Sequence, residues 1–160
     1  MSRTLVAFFS ASGTTKRAAE NLADAIGADL YEIRPAIPYT AADLNWQDRR
    51  SRSSVEMNDP ASRPALAGPE ADVSSYDRIF LGFPIWWYTA PHIIRTFLEH
   101  TDFTGKTIIL FATSGGSRFG NTAQDLKRSV ASSAVIREGR LLNGRLQESA
   151  IREWLSELGI

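Results

Sequence analysis

The feature that most constrains this chain is a recurrence of short segments that are apolar on both faces, each followed by a stretch with helical spacing. Residues 4–9 (TLVAFF), 77–83 (DRIFLGF) and 106–113 (KTIILFAT) lack any regular alternation of apolar and polar positions. That is the pattern of strands covered by helices on both sides. After the first segment, Ala18, Leu22 and Ile26 recur every four residues, with Ala19 and Ala23 beside them, as a buried helical stripe ending at Gly27. After the second, Ile93, Ile94, Phe97 and Leu98 make another stripe behind Pro91, a residue suited to a helix's first turn. Ala123, Leu126 and Val130 mark a further helix, and Ile151, Trp154, Leu155 and Leu158 the last. A short strand is expected over 29–34, and a weaker, polar-interrupted strand at a sheet edge over 135–142. Parallel strands need long crossovers and helices supply them, so the alternation predicts a doubly wound, three-layer α/β fold.

Residues 37–75 depart from the scheme. They carry Pro38, Pro60, Pro64 and Pro69, a polar run NWQDRRSRSS, and no sustained apolar period. This segment is expected to wrap the surface as an irregular insertion, with one short helix near 41–50. The 160 residues, 43% of them hydrophobic, suit one core, so 1–160 reads as a single domain.

Charge and cysteine content narrow the function. Lys plus Arg and Asp plus Glu number 18 each, and no net field draws the chain to nucleic acid or to an anionic membrane. A small ligand is expected instead. With no cysteine, a redox role needs a bound cofactor. The N-terminal apolar run is about six residues, too short for a secretory core or a bilayer span, so a cytoplasmic location is expected.

Ligands of such sheets sit beyond the carboxyl ends of the strands, and three loops are predicted there. In the first, Ser10-Ala11-Ser12-Gly13-Thr14-Thr15, five of six positions are hydroxyl residues or glycine. A helix start offers unpaired N–H groups and a positive dipole end, and hydroxyls add donors, so the loop reads as a phosphate cradle; a simple helix cap needs only one such residue. Neither G-x-x-x-x-G-K-[ST] nor G-x-G-x-x-G is present, which removes the usual triphosphate and dinucleotide loops. The second loop holds Pro84, Ile85, Trp86, Trp87 and Tyr88 ahead of Pro91. Three successive aromatic residues cannot all point inward, so at least one is expected to offer its face to a planar ligand. The third, from Thr113 to Asn121, includes Ser114, Gly115 and Gly116, where bare backbone can approach a ligand, and Asn121 or Thr122 can cap the next helix. A phosphate cradle, an aromatic platform and a glycine-lined polar edge match the three parts of FMN.

On these residues the chain resembles the flavodoxin family over almost its full length. Ser10-x-Ser12-Gly13-x-Thr15 is similar to the family's hydroxyl-x-hydroxyl-Gly-x-Thr phosphate loop. The resemblance implies a flavodoxin-like fold with a five-stranded parallel sheet of order 2-1-3-4-5, FMN as cofactor, and Ser10, Ser12, Gly13, Thr14 and Thr15 as phosphate ligands. Lys16 and Arg17 are then solvated. FPIWWYTAP and ATSGGS resemble loops of flavodoxin-fold quinone reductases. At the matching positions Pro84, Ile85, Trp86, Trp87 and Tyr88 line the flavin ring, and Ser114, Gly115 and Gly116 its pyrimidine edge. The Pro-rich insertion, with YTAADLNW and SRSSVE, resembles an atypical bacterial flavodoxin subgroup.

The role so implied is electron transfer to a redox partner protein or a small electron acceptor, as a monomer or a homodimer. An FMN-dependent NAD(P)H:quinone-type oxidoreductase and a flavin-free module for another phosphorylated ligand are the alternatives. No catalytic side chain, metal, nucleic acid or membrane partner is called for. His92 is expected as a surface histidine at a helix start, Arg118 as a solvated loop residue, and Arg49, Arg50 and Arg52 as a solvated helix face.

Overall fold

The computed structural model describes residues 3–68, 71–114, 118–142 and 148–159. Five strands, β1 (Thr4–Phe8), β2 (Asp29–Glu32), β3 (Arg78–Pro84), β4 (Thr107–Thr113) and β5 (Val135–Leu141), form one parallel sheet of order β2-β1-β3-β4-β5. The helices are α1 (Thr14–Ile26), α2 (Arg52–Asn58), α3 (His92–Glu99), α4 (Thr122–Leu126) and α5 (Glu148–Glu157). Among the described residues no helix is long and apolar enough to cross a membrane.

The doubly apolar strands sort their side chains by the two-residue period of a pleated strand. Leu5, Ile79, Ile108 and Ile136 lie in register across four strands and pack on one face with Ile93, Ile94 and Phe97 of α3 and Leu126 of α4. Their neighbours Val6, Phe80 and Ile109 face the other way, against Ala19 and Leu22 of α1 and Ile151 and Trp154 of α5. Phe80 and Phe111 are fully buried, and each such ring contributes about 2–3 kcal/mol by leaving water. Adjacent strands β1 and β3 thus send their crossovers to opposite faces. A crevice opens beyond their carboxyl ends, where ligands of open α/β sheets bind.

The helix expected near 41–50 lies elsewhere. Residues 40–50 form successive turns, with Leu44 N–H donating to the Thr40 carbonyl at 3.1 Å and Asp48 N–H to that of Asn45 at 3.1 Å. Their own side chains compete with a helix: Thr40 N–H donates to Asp43 Oδ2 at 2.9 Å, Asp43 N–H to Thr40 Oγ1 at 3.1 Å, and Arg50 N–H to Asp48 Oδ1 at 2.9 Å. The helix is α2, which begins after Ser51, whose Oγ accepts from Ser54 N–H at 3.3 Å. The stripe ending at Val130 is also shorter than expected, since α4 gives way to a 3-10 turn over Lys127–Ser129. Pro91 is the residue before α3, at ψ 145°, rather than part of its first turn.

Candidate functional site

The first loop leaves β1 with Phe9 still in the ladder, its N–H donating to the Gly82 carbonyl at 2.9 Å. Gly13 then takes φ 95°, a left-handed conformation that a side chain resists, and turns the chain into α1. Its N–H donates to Ser10 Oγ at 3.0 Å. The helical ladder starts with Arg17 N–H donating to the Gly13 carbonyl at 3.1 Å, which leaves the amides of Thr14, Thr15 and Lys16 without a helical acceptor. Gly13 occupies the capping position, no side chain caps the helix, and no acid stands in its first turn. The hydroxyls of this loop are therefore not spent on capping. Ser12 and Thr14 are exposed beside the free amides, a donor set suited to an anion. Lys16 reaches Glu32 at 3.9 Å and Arg17 is exposed, so neither is committed to the loop.

Thr15 points the other way, and its buried hydroxyl shares a 2.7 Å hydrogen bond with the Thr113 hydroxyl at the end of β4. Thr113 also accepts the Ile85 N–H at 2.9 Å through its carbonyl. The beginnings of all three loops are thereby tied to one another. Ser114 is half-buried, while Gly115 and Gly116 lie outside the described residues. Arg118 is exposed. Asn121 sits at the capping position of α4 without a capping bond, and Thr122 Oγ1 donates to the Phe119 carbonyl instead.

Beyond Pro84 and Ile85, both half-buried, the aromatic loop reverses on itself. Trp86 and Thr89 exchange backbone hydrogen bonds of 2.9 and 3.0 Å, so Trp87 and Tyr88 are the central pair of a two-residue turn, at φ 49° and 64°. Positive φ at both positions defines the turn that Asn-Gly normally occupies. Two bulky aromatics held there carry backbone strain, and such strain concentrates at ligand sites. Trp87 is 40% and Tyr88 72% exposed. Trp86 turns inward, edge-to-face with Phe9 at 5.7 Å and with Tyr39 at 5.5 Å. The double substitution Trp87→Asn, Tyr88→Gly is expected to stabilise the ligand-free protein by about 1 kcal/mol in urea unfolding. A loss of stability would mean that the rings are held by packing rather than against strain.

Among the described residues no group of three or more His, Asp or Glu is placed to hold a metal ion. Donors, aromatic faces and the uncapped helix start all gather at the crevice between β1 and β3. A family model described as Flavodoxin matches residues 3–158. The chain belongs to the flavodoxin family. This flavodoxin is 54% identical to a candidate flavoprotein from Bacteroides eggerthii DSM 20697, covering 100% of its own length and 99% of the other, with a TM-score of 0.93. A candidate flavoprotein from Bacteroides uniformis ATCC 8492 is 50% identical over 97% of this chain and 98% of that one, with a TM-score of 0.90. A flavoprotein from Lactobacillus acidophilus NCFM, solved in complex with FMN, shares the fold at 20% identity and a TM-score of 0.71, over 97% and 99% of the two chains. No curated protein matches this flavodoxin.

Two sequence expectations are corrected at the site's flank. His92 is buried, at 5% exposure, with Glu56 and Arg63 of the insertion near it. Burial, then the nearby Arg95 and Arg63 charges, lowers its pKa below the ordinary 6.5. Arg52 is not solvated either: its guanidinium stacks 3.8 Å over the Tyr39 ring and its Nε pairs with Glu56 Oε2 at 2.9 Å. Tyr39 and Phe9, which pack on Trp86, are contacts of the candidate site that the loop pattern did not single out, and Thr113, the first residue of the third loop, joins them through its bond to Thr15. A lone aromatic in the polar stretch IPYTAADL was the available signal for Tyr39.

Proposed function

We propose that this flavodoxin binds FMN at the crevice between β1 and β3 and works as an electron-transfer protein. The observation that carries this reading is the Thr15–Thr113 hydroxyl bond. It joins the uncapped start of α1 to the third loop, while the Phe9–Trp86 contact joins the first loop to the second. The donor set fits the cofactor. Three free amides, the exposed hydroxyls of Ser12 and Thr14 and the helix dipole neutralise a phosphate without needing a cationic side chain. Half-buried Trp86 and the faces of Trp87 and Tyr88 suit a flat ring.

FMN supplies the redox chemistry when bound, and the chain's residues bind, orient and shield it. Ser10 holds the bend by accepting from Gly13, Thr15 fixes the first loop to β4, and the aromatic loop keeps water from one side of the ring. The phosphate-loop roles of Ser10, Ser12, Gly13, Thr14 and Thr15, the ring-side roles of Pro84, Ile85, Trp86, Trp87 and Tyr88, and the edge roles of Ser114, Gly115 and Gly116 all belong to this reading. So do a cytoplasmic setting and a redox partner protein or small acceptor.

Anaerobic photoreduction of the protein mixed with FMN tests it. Two resolved one-electron steps, with a visible band sharper than that of free flavin, are expected; a spectrum identical to free FMN would refute cofactor binding. The open faces of Trp87 and Tyr88 favour one second reading, a reductase that passes hydride from a nicotinamide cofactor to a quinone-like acceptor. Reduction in a single two-electron step, with steady NAD(P)H turnover on a quinone, would select it.

A further inference from the structure

We propose that the inserted segment serves as a fixed wall of the ring end of the site, with Tyr39 as the positioning residue that sets the angle of Trp86. The inference rests on the FMN reading. Tyr39, Phe9 and Trp86 form a closed set of three rings, each edge-to-face with the other two: 5.7 Å and 63° for Phe9–Tyr39, 5.5 Å and 73° for Tyr39–Trp86, 5.7 Å and 89° for Phe9–Trp86. Phe9 is fully buried and cannot move, whereas Trp86 sits in a strained loop and is only half-buried. The orientation of Trp86 therefore depends on Tyr39.

Tyr39 lies in irregular chain, yet it is clamped at both its hydroxyl and its face. The phenol donates to Glu56 Oε1, and the Arg52 guanidinium covers the ring at 3.8 Å. Arg52 and Glu56 are one turn apart on α2 and bonded to each other at 2.9 Å, and Arg52 Nη1 donates to the Ile37 carbonyl at 2.6 Å. Burial first, and then the bond to Glu56, pushes the phenol far above its usual range, so it remains a donor to the carboxylate. The helix that carries both charges is tied to the preceding turns by Ser53 N–H donating to the Asp43 carbonyl at 3.0 Å. A cation and a carboxylate spent on fixing one half-buried ring are more than wrapping the surface requires. Their geometry points to a ring whose place matters to what binds beside Trp86.

The test uses Tyr39→Phe and Glu56→Gln, each close to isosteric, in the full chain labelled with 5-fluorotryptophan. Without flavin, the Trp86 fluorine resonance, assigned with Trp86→Phe, is expected to shift and broaden in both variants while that of Trp154 stays put; an unmoved Trp86 resonance overturns the clamp. With flavin, both variants are expected to weaken FMN and riboflavin by the same factor of about ten, because the wall acts at the ring end and riboflavin lacks the phosphate. Unchanged affinity, or a loss confined to FMN, overturns the positioning role. The double variant is expected to lose less than the product of the two single losses, since both substitutions act on the same Tyr39–Glu56 hydrogen bond. Wild-type protein that binds neither flavin refutes the cofactor reading, and the fluorine spectra then decide the clamp alone.

Discussion

Replacing Ser12 and Thr15 together by valine is expected to lower FMN affinity at least about 10-fold, because the Ser12 hydrogen bond to a charged group is worth ~1.5–3 kcal/mol and the loss of the Thr15–Thr113 bond unties the loop that presents it. The two positions act differently. Ser12 is exposed beside the free amides of α1, so its loss removes a donor from the phosphate alone. Thr15 is 2% exposed and bonded to Thr113, itself 4% exposed, so valine there also strands a buried hydroxyl. That adds a stability cost of about 1–3 kcal/mol. The single variant Ser12→Val should therefore leave the urea midpoint unchanged while weakening FMN. Thr15→Val should lower both, and Thr15→Ser should restore most of each. Fluorescence titration of FMN and urea unfolding monitored by circular dichroism read the two effects separately. Undiminished FMN affinity in the double variant would place the phosphate somewhere other than the start of α1.

Gly139→Ala is expected to be strongly destabilising, costing about 3 kcal/mol in urea unfolding. The register of β5 slips here: Ile109 pairs with Arg137 and Phe111 with Arg140, so Glu138 and Gly139 together stand opposite Leu110. Such a bulge brings backbone into unusually close approach. A Cβ on Gly139 would lie 1.8 Å from the Leu110 carbonyl oxygen and 2.9 Å from Trp154 Cζ2. The first clash is with the main chain of the central sheet, and no rotamer relieves it. Trp154 would be pushed off Phe80, with which it packs edge-to-face at 5.5 Å. A midpoint equal to wild type would mean that β5 pairs without the bulge.

The bulge explains why β5 reads so weakly as a sequence. Arg137, Glu138 and Arg140 interrupt its apolar pattern because the strand lies at an edge and because one of its residues faces no partner. The other strands were legible for the opposite reason, since residues buried on both faces leave no room for polar positions. The short helix of the insertion was misplaced because 41–50 has helix-compatible composition, while its Asp, Asn and Thr side chains bond their own backbone. Ser51 then supplied the cap one step later.

The phosphate loop was legible because its chemistry is local. Hydroxyls, a glycine and a helix start within six residues define a donor set before any folding is considered. Which hydroxyl faces outward was not legible. Thr15 is committed to a partner 98 residues away, and only the β1–β3–β4 register brings that partner alongside. The aromatic loop divides in the same way. Three consecutive aromatics announce that one must face outward, but the inward turn of Trp86 follows from Phe9 and Tyr39, which arrive from β1 and from the insertion.

By itself, then, the sequence determined the layered parallel sheet and the hydroxyl-rich bend, because strand burial and turn chemistry are written in adjacent residues, whereas the strand order was implied only by the resemblance to the flavodoxin family. Tertiary structure alone decided the Thr15–Thr113 bond, the clamp of Tyr39 by Arg52 and Glu56, the burial of His92 and the bulge at Gly139. Each of these is a contact between segments far apart in the chain. Their energies depend on register and packing depth, which no local pattern encodes.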